Sequence, residues 1–128
     1  MKMRATERLY ELWNLPSSGV ERVQISLPVY YRKVKQHANL SEKVKRYEEL
    51  LRKALKSFDI GVQENSHLRK VCDDFSNMAS SYYDDGMHFV EEGDLVNALV
   101  CFSYGHAWLD AGVKLGVFRV NDENLFTI

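Results

Sequence analysis

The stretch Phe89-Val90-Glu91-Glu92-Gly93-Asp94-Leu95-Val96-Asn97-Ala98 decides how this chain folds. An apolar pattern at helical spacing reaches Gly93, a residue suited to a left-handed helix stop. Asp94 follows at once and can cap a new helix. So short a connection turns two helices back on each other as an antiparallel hairpin.

The pattern extends both ways from that turn. Upstream, residues 66–92 carry the stripe Leu68, Val71, Cys72, Phe75, Met78, Ala79, Tyr82, Tyr83, Gly86, Phe89 and Val90, with Asp73, Asp74, Asn77, Ser81, Asp84, His88 and Glu91 opposite. That is an amphipathic helix. Downstream, residues 95–115 are apolar nearly all round. Such a helix is the central member of a bundle or contacts another chain. Ala98, Cys101, Gly105, Gly112 and Gly116 form a strip of small residues along it. We read Gly105 and Gly112 as positions where a neighbour packs closely, because a glycine inside a helix costs about 1 kcal/mol against alanine.

Before the hairpin, Asn39 with Glu42 fits a variant of the capping box. Val44, Tyr47, Leu50, Leu51, Ala54, Leu55 and Phe58 then recur on one helix face, and Gly61 fits its C-terminal stop. Residues 4–14 place Ala5, Leu9, Leu12 and Trp13 on one face of a short helix, which Pro16-Ser17-Ser18-Gly19 ends. Val23, Ile25 and Leu27 alternate as in a short extended segment, and Tyr30, Val34 and Ala38 suit a helical turn or two. The tail from Val117 to Ile128 alternates as well; it is expected along the bundle, with residues 23–27 as a pairing partner. The expected fold is therefore all-α: an antiparallel three-helix bundle core with an N-terminal helical extension. Residues 1–38 form the extension, 39–118 the bundle and 119–128 the tail.

Composition agrees with one globular domain of 128 residues, 45% hydrophobic and 27% charged. No apolar run approaches the roughly 18 residues of a membrane span, and the polar start Met1-Lys2-Met3-Arg4 lacks a signal core. Cys72 and Cys101 have no metal or redox spacing and fall on apolar helix faces, so they read as reduced, packed thiols. The net charge of −1 is uneven: residues 29–57 hold nine Lys/Arg against three Asp/Glu, and residues 59–128 hold four against twelve. Such asymmetry marks a binding surface, two attracting helices or solvated faces.

Glu92-Gly93-Asp94, Ala98-Leu99, Ser103-Tyr104, Leu109-Asp110-Ala111-Gly112 and Leu115-Gly116, with Tyr82-Tyr83 upstream, resemble the archaeal family catalogued as domain of unknown function 357. The resemblance covers about residues 40–118. It implies a compact three-helix bundle in an archaeal, cytoplasmic setting, and no catalytic residues. A looser similarity joins Ala79, Tyr82, Gly86, Gly93-Asp94 and Ala98 to one tetratricopeptide hairpin, although such repeats need neighbours. Arg32 and His37 match the Arg-x4-6-His spacing of helical ribonucleases from toxin systems, a pattern that chance supplies easily here.

Three groups of residues bear on chemistry. Ser103, His106 and Asp110 share one side of the last helix, where Asp110 could orient His106 as a general base and Ser103 could act as nucleophile. Three residues on one helix point outward in parallel, so a plain solvent face explains them at least as well. Asp84 and His88 form a second i, i+4 pair, and with His106 and Asp110 they make a two-His, two-carboxylate metal set only if the helix faces meet. Lys43, Lys45, Arg46, Arg52, Lys53 and Lys56 follow Arg32, Lys33 and Lys35; they could track a phosphate backbone, with Tyr30 and Tyr31 stacking bases. No phosphate loop, zinc knuckle or nucleophile elbow is present, and no cofactor is called for. The sequence thus suggests a non-enzymatic protein–protein interaction module that self-associates or docks to a protein partner. RNA or nucleotide binding through residues 43–56 is the alternative, and an enzyme or metal protein using His106 and Asp110 comes third.

Overall fold

The computed structural model describes residues 38–127. The elements run α1 (Leu40–Leu55), β1 (Phe58–Ile60), α2 (His67–Glu91), α3 (Leu95–Leu115) and β2 (Phe118–Val120), with a last 3-10 turn at Glu123–Leu125. The helices dominate, so the protein is essentially all-α. The expectations for residues 1–37, including the helix at 4–14, the extended segment at 23–27, Tyr30, Tyr31 and the Arg32/His37 spacing, lie outside the described residues.

Local chemistry sets the helix ends. The side chain of Asn39 accepts the Glu42 N–H at 3.0 Å, and Ser66 Oγ accepts the Leu68 N–H at 3.0 Å. At the hairpin, Gly93 takes φ 79°. Its N–H donates to the Val90 carbonyl at 3.1 Å, and the Asp94 N–H donates to the Phe89 carbonyl at 2.9 Å. That pair of bonds is the Schellman closure, which satisfies carbonyls left open at a helix C-terminus. The Asp94 carboxylate then caps α3, accepting the Asn97 N–H at 3.1 Å and its amide at 2.6 Å. One residue ends α2 and starts α3, so the chain reverses without a loop.

α3 is the central helix. It packs along α2 and also along α1, which touch each other less. Its inner side buries Ala98, Cys101, Phe102, Gly105, Leu109 and Gly112. Phe102, Leu51, Leu109, Val117 and Cys72 are the largest fully buried side chains. Each large apolar one contributes about 1.5–3 kcal/mol relative to exposure. A Cβ at Gly105 would stand 3.0 Å from both Leu51 Cδ2 and Tyr82 Cβ, and one at Gly112 would meet the Phe118 ring. Both are packing glycines, as their place in the small-residue strip suggests.

Two expectations need correcting. Phe58 reads as the last member of the α1 stripe and Gly61 as its stop, but α1 ends at Leu55 and Lys56 is its C-cap. Phe58 instead enters β1, which pairs antiparallel with β2 in the register Phe58↔Val120, Asp59↔Arg119, Ile60↔Phe118. The rings of Phe58 and Phe118 lie 4.4 Å apart, and the Gly61 N–H bonds the Val117 carbonyl at 2.8 Å. The tail likewise does more than lie along the bundle: β1 is its strand partner, and Val117, Phe118 and Phe126 are buried core residues.

The clip also fixes direction. β1 follows α1 and β2 follows α3, so α1 and α3 end together and run parallel, with α2 antiparallel to both. The start of α1 therefore lies at the hairpin end of the bundle, where α3 begins.

Candidate functional site

The Ser103, His106 and Asp110 stripe lines one wall of an open cleft of about 340 Å³. α1 supplies Tyr47 and Leu50, and the tail closes the cleft with Asn124, Leu125, Phe126 and Thr127. Helical spacing along α3 brings the three polar residues to the same side, and the returning tail makes a cleft of what would otherwise be a flat face.

The geometry inside is structural. Asp110 Oδ1 accepts the Thr127 N–H at 2.9 Å, so this carboxylate fastens the tail. His106 Nε2 stands 3.8 Å from that same oxygen, and its ring lies 6.1 Å from the Phe126 ring. At 3.8 Å the two groups attract if His106 is protonated, but they do not form a hydrogen bond. The Ser103 hydroxyl donates to the Leu99 carbonyl at 2.8 Å, the usual i−4 back-bond of a helical serine. Ser103 is thus committed to its own helix, and no relay links it to His106. The stripe shares a cleft, but its groups are not arranged as nucleophile, base and orienting acid.

Asp84 and His88 lie elsewhere. Both are exposed on α2, and His88 Nε2 pairs with Glu92 at 3.1 Å. Among the described residues no group of three or more His, Cys, Asp or Glu side chains is placed to hold a metal ion.

On α1, Lys45, Arg46, Lys53 and Lys56 are exposed, while Lys43 and Arg52 are half-buried. Arg52 pairs with Glu48 at 3.0 Å. By helical spacing, Glu42 and Glu49 fall within the same outer arc, so the basic face is interrupted by acids. The ion pairs recorded between described residues all run i, i+4 within one helix, and none of them joins the basic helix to the acidic one.

Sequence reasoning overlooked Glu48 and Asp85. Glu48 Oε1 also accepts the Tyr83 hydroxyl at 2.7 Å, tying α1 to α2. Burial, followed by that bond, pushes the Tyr83 hydroxyl up to about 12. Asp85 is 8% exposed, the one polar residue among the buried side chains described. Its spacing from Tyr82 and Phe89, i+3 and i−4, was the available signal that it faces inward. Nearby Cys101 is pushed up to about 12, chiefly by burial and then by the Asp85 charge. Both cysteines are free and buried, so they pack rather than react.

The last feature is the outer side of α3. No Asp, Glu, Lys or Arg occurs from Leu95 to Leu109. Val96 is 60% exposed and Tyr104 41% exposed. Leu99, Val100, Ser103, Tyr104 and Ala107 line a shallow groove of about 410 Å³. Ser103 and Ala107 also border the tail cleft, so the two depressions lie side by side on α3.

Fold and surface together define a class: a small up-down-up helical bundle whose neutral central helix remains apolar on its outer side. Within that class, the chain belongs to the family described as protein of unknown function (DUF357), whose model matches residues 46–118. No curated protein and no solved structure matches the chain. Among the described residues no helix is long and apolar enough to cross a membrane.

Proposed function

We propose that this protein is a non-enzymatic interaction module whose docking surface is the outer side of α3. One observation carries the reading: from Leu95 to Leu109 the central helix is as uncharged outside as inside. A surface helix of a globular protein normally turns charged residues outward, and a contiguous apolar patch on a small protein marks a contact site. The expected partner is a helix with a narrow, uncharged apolar face, because Ser103 and Ala107 at the middle of the groove are small enough for a helix to approach closely. The archaeal, cytoplasmic setting implied by the family resemblance belongs to this proposal.

Phosphate binding through α1 has less support, since Glu42 and Glu49 sit among its lysines and Arg52 is engaged by Glu48. Acid–base chemistry has less still, because Asp110 holds the tail and Ser103 its own backbone.

The test is affinity capture from a lysate of the source cells, with and without nuclease, using the wild type, Ala107→Glu and the triple variant Lys45→Glu/Lys53→Glu/Lys56→Glu. The proposal expects a partner that survives nuclease, is retained by the triple variant and is lost with Ala107→Glu. Co-purifying RNA that depends on the three lysines would overturn it.

A further inference from the structure

The cleft beside the tail holds a charge whose hydrogen bonds the described residues leave incomplete. We infer that Asp110 is the anchor for a lysine side chain of the helix that docks along α3; the inference rests on the docking reading above and adds the contact that selects the partner.

Asp110 is the only acid on α3. The wall around it is largely apolar, with Leu50, Ala107, Leu125 and Phe126. Its Oδ1 accepts the Thr127 N–H at 2.9 Å, and no hydrogen bond from the described residues reaches Oδ2. His106 stands 3.8 Å from Oδ1 without bonding it. Lys114, four residues on, is exposed and joins none of the recorded ion pairs. The Asp110 side chain is 20% exposed, so a ligand can reach it. A carboxylate held partly out of water attracts a cation that completes its hydrogen bonds.

The open oxygen chooses the cation. A two-pronged guanidinium would take Oδ1 as well and compete with the tail, whereas an ammonium is a point charge that one oxygen serves. The four-carbon stem of a lysine can lie against Leu50, Leu125 and Phe126 while its charged end meets Asp110. Position chooses the source. Ser103 and Ala107 border both the cleft and the apolar groove, and Asp110 lies about 5 Å beyond Ala107 along the helix axis. A helix resting in the groove on an uncharged face therefore fills the cleft with one lysine at the edge of that face. Charge at longer range agrees: residues 59–128 hold twelve Asp/Glu against four Lys/Arg, a field that draws a cation toward this half of the chain.

Asp110→Asn separates the charge from the structure, because an asparagine carbonyl oxygen still accepts the Thr127 N–H. Hexylammonium, with 1-hexanol as its uncharged counterpart, probes the cleft of the full chain by amide NMR. Hexylammonium should shift the Ser103, Ala107 and Thr127 amides at several-fold lower concentration than 1-hexanol. In Asp110→Asn that advantage should disappear while helical circular dichroism persists. Capture from lysate supplies the second arm. Asp110→Asn should retain several-fold less partner, and acetylating the lysines of the lysate, which removes their charge, should lower capture by the wild type to the same level. Equal binding of the two probes by the wild type overturns the inference, whatever the fate of the variant. So does a partner that needs Ala107 but is indifferent to Asp110→Asn and to acetylation, which leaves the docking function standing without this anchor. Hexylammonium selected through Asp110 with no partner captured at all overturns it from the other side: the docking reading falls and the cleft takes a free amine.

Discussion

Glu48 holds two donors at once, Arg52 on its own helix and Tyr83 on the next. Removing the Tyr83 hydroxyl loses a bond to a charged acceptor, so Tyr83→Phe should cost about 1.5–3 kcal/mol in urea unfolding. The same environment gives a pH dependence. Tyr82 and Tyr83 are both pushed up to about 12, each chiefly by burial. An unfolded tyrosine ionises near pH 10, so between those values the folded chain holds protons that the unfolded chain releases. The contribution of the two hydroxyls is complete below about pH 10 and is lost as pH rises through about 12. Circular dichroism should show stability declining across that alkaline window, less steeply in Tyr83→Phe. Gly112→Ala sets two effects in opposition. Alanine gains about 1 kcal/mol of helix propensity, but its Cβ would meet the Phe118 ring, itself held against Phe58. Overpacking costs about 1–3 kcal/mol, so we expect net destabilisation; a raised melting temperature would show that the ring moves freely. His106→Ala, by contrast, should fold normally and retain any partner, because His106 makes no hydrogen bond to Asp110 at 3.8 Å. Loss of a measured turnover in that variant would reinstate the catalytic reading.

At the scale of elements, what was legible depended on length. Residues 66–116 carry many turns of one period, and Gly93-Asp94 announces the reversal twice, as stop and as cap. β1 has only Phe58, Asp59 and Ile60, too few for alternation to separate from the helix before it. Its stabilising contacts, the ladder to β2 and the Phe58–Phe118 stack, come from residues about sixty positions away. The tail had the same difficulty. Its alternation was visible, but its partner was not, and the Asp110 bond to Thr127 leaves no local trace. The consequence is testable: the tail is core. Phe126 is 8% exposed and packs in the main cluster, so Phe126→Ala should cost about 3 kcal/mol in urea unfolding. A change below about 0.5 kcal/mol would make the tail a loosely attached appendage.

Across the described part of the molecule the charges are separated by helix, and no recorded ion pair joins one helix to another. α1 is basic, α2 is acidic, and the central helix has only Asp110 and Lys114. The sequence made that asymmetry plain and left its meaning open between attraction, binding and solvation. In the structure the recorded ion pairs stay within single helices, and exposed pairs of that kind contribute about 0–1 kcal/mol each. Burial of apolar side chains against the neutral helix therefore does more than charge to hold the bundle together. The candidate site was legible to the same degree: spacing put Ser103, His106 and Asp110 on one side, but only the tail and the back-bond show what they do. Binding should follow the neutral helix too. A partner on the outer stripe of α3 replaces water on apolar surface and releases few ions. Raising salt from about 50 to about 200 mM should leave its capture nearly unchanged, whereas a phosphate surface with six to ten contacts would lose about 10³–10⁵ in affinity. Titrating salt against captured partner therefore tests the stripe against the basic face in one experiment. A steep loss would move the binding site to Lys45, Lys53 and Lys56, on the other side of the bundle's charge divide.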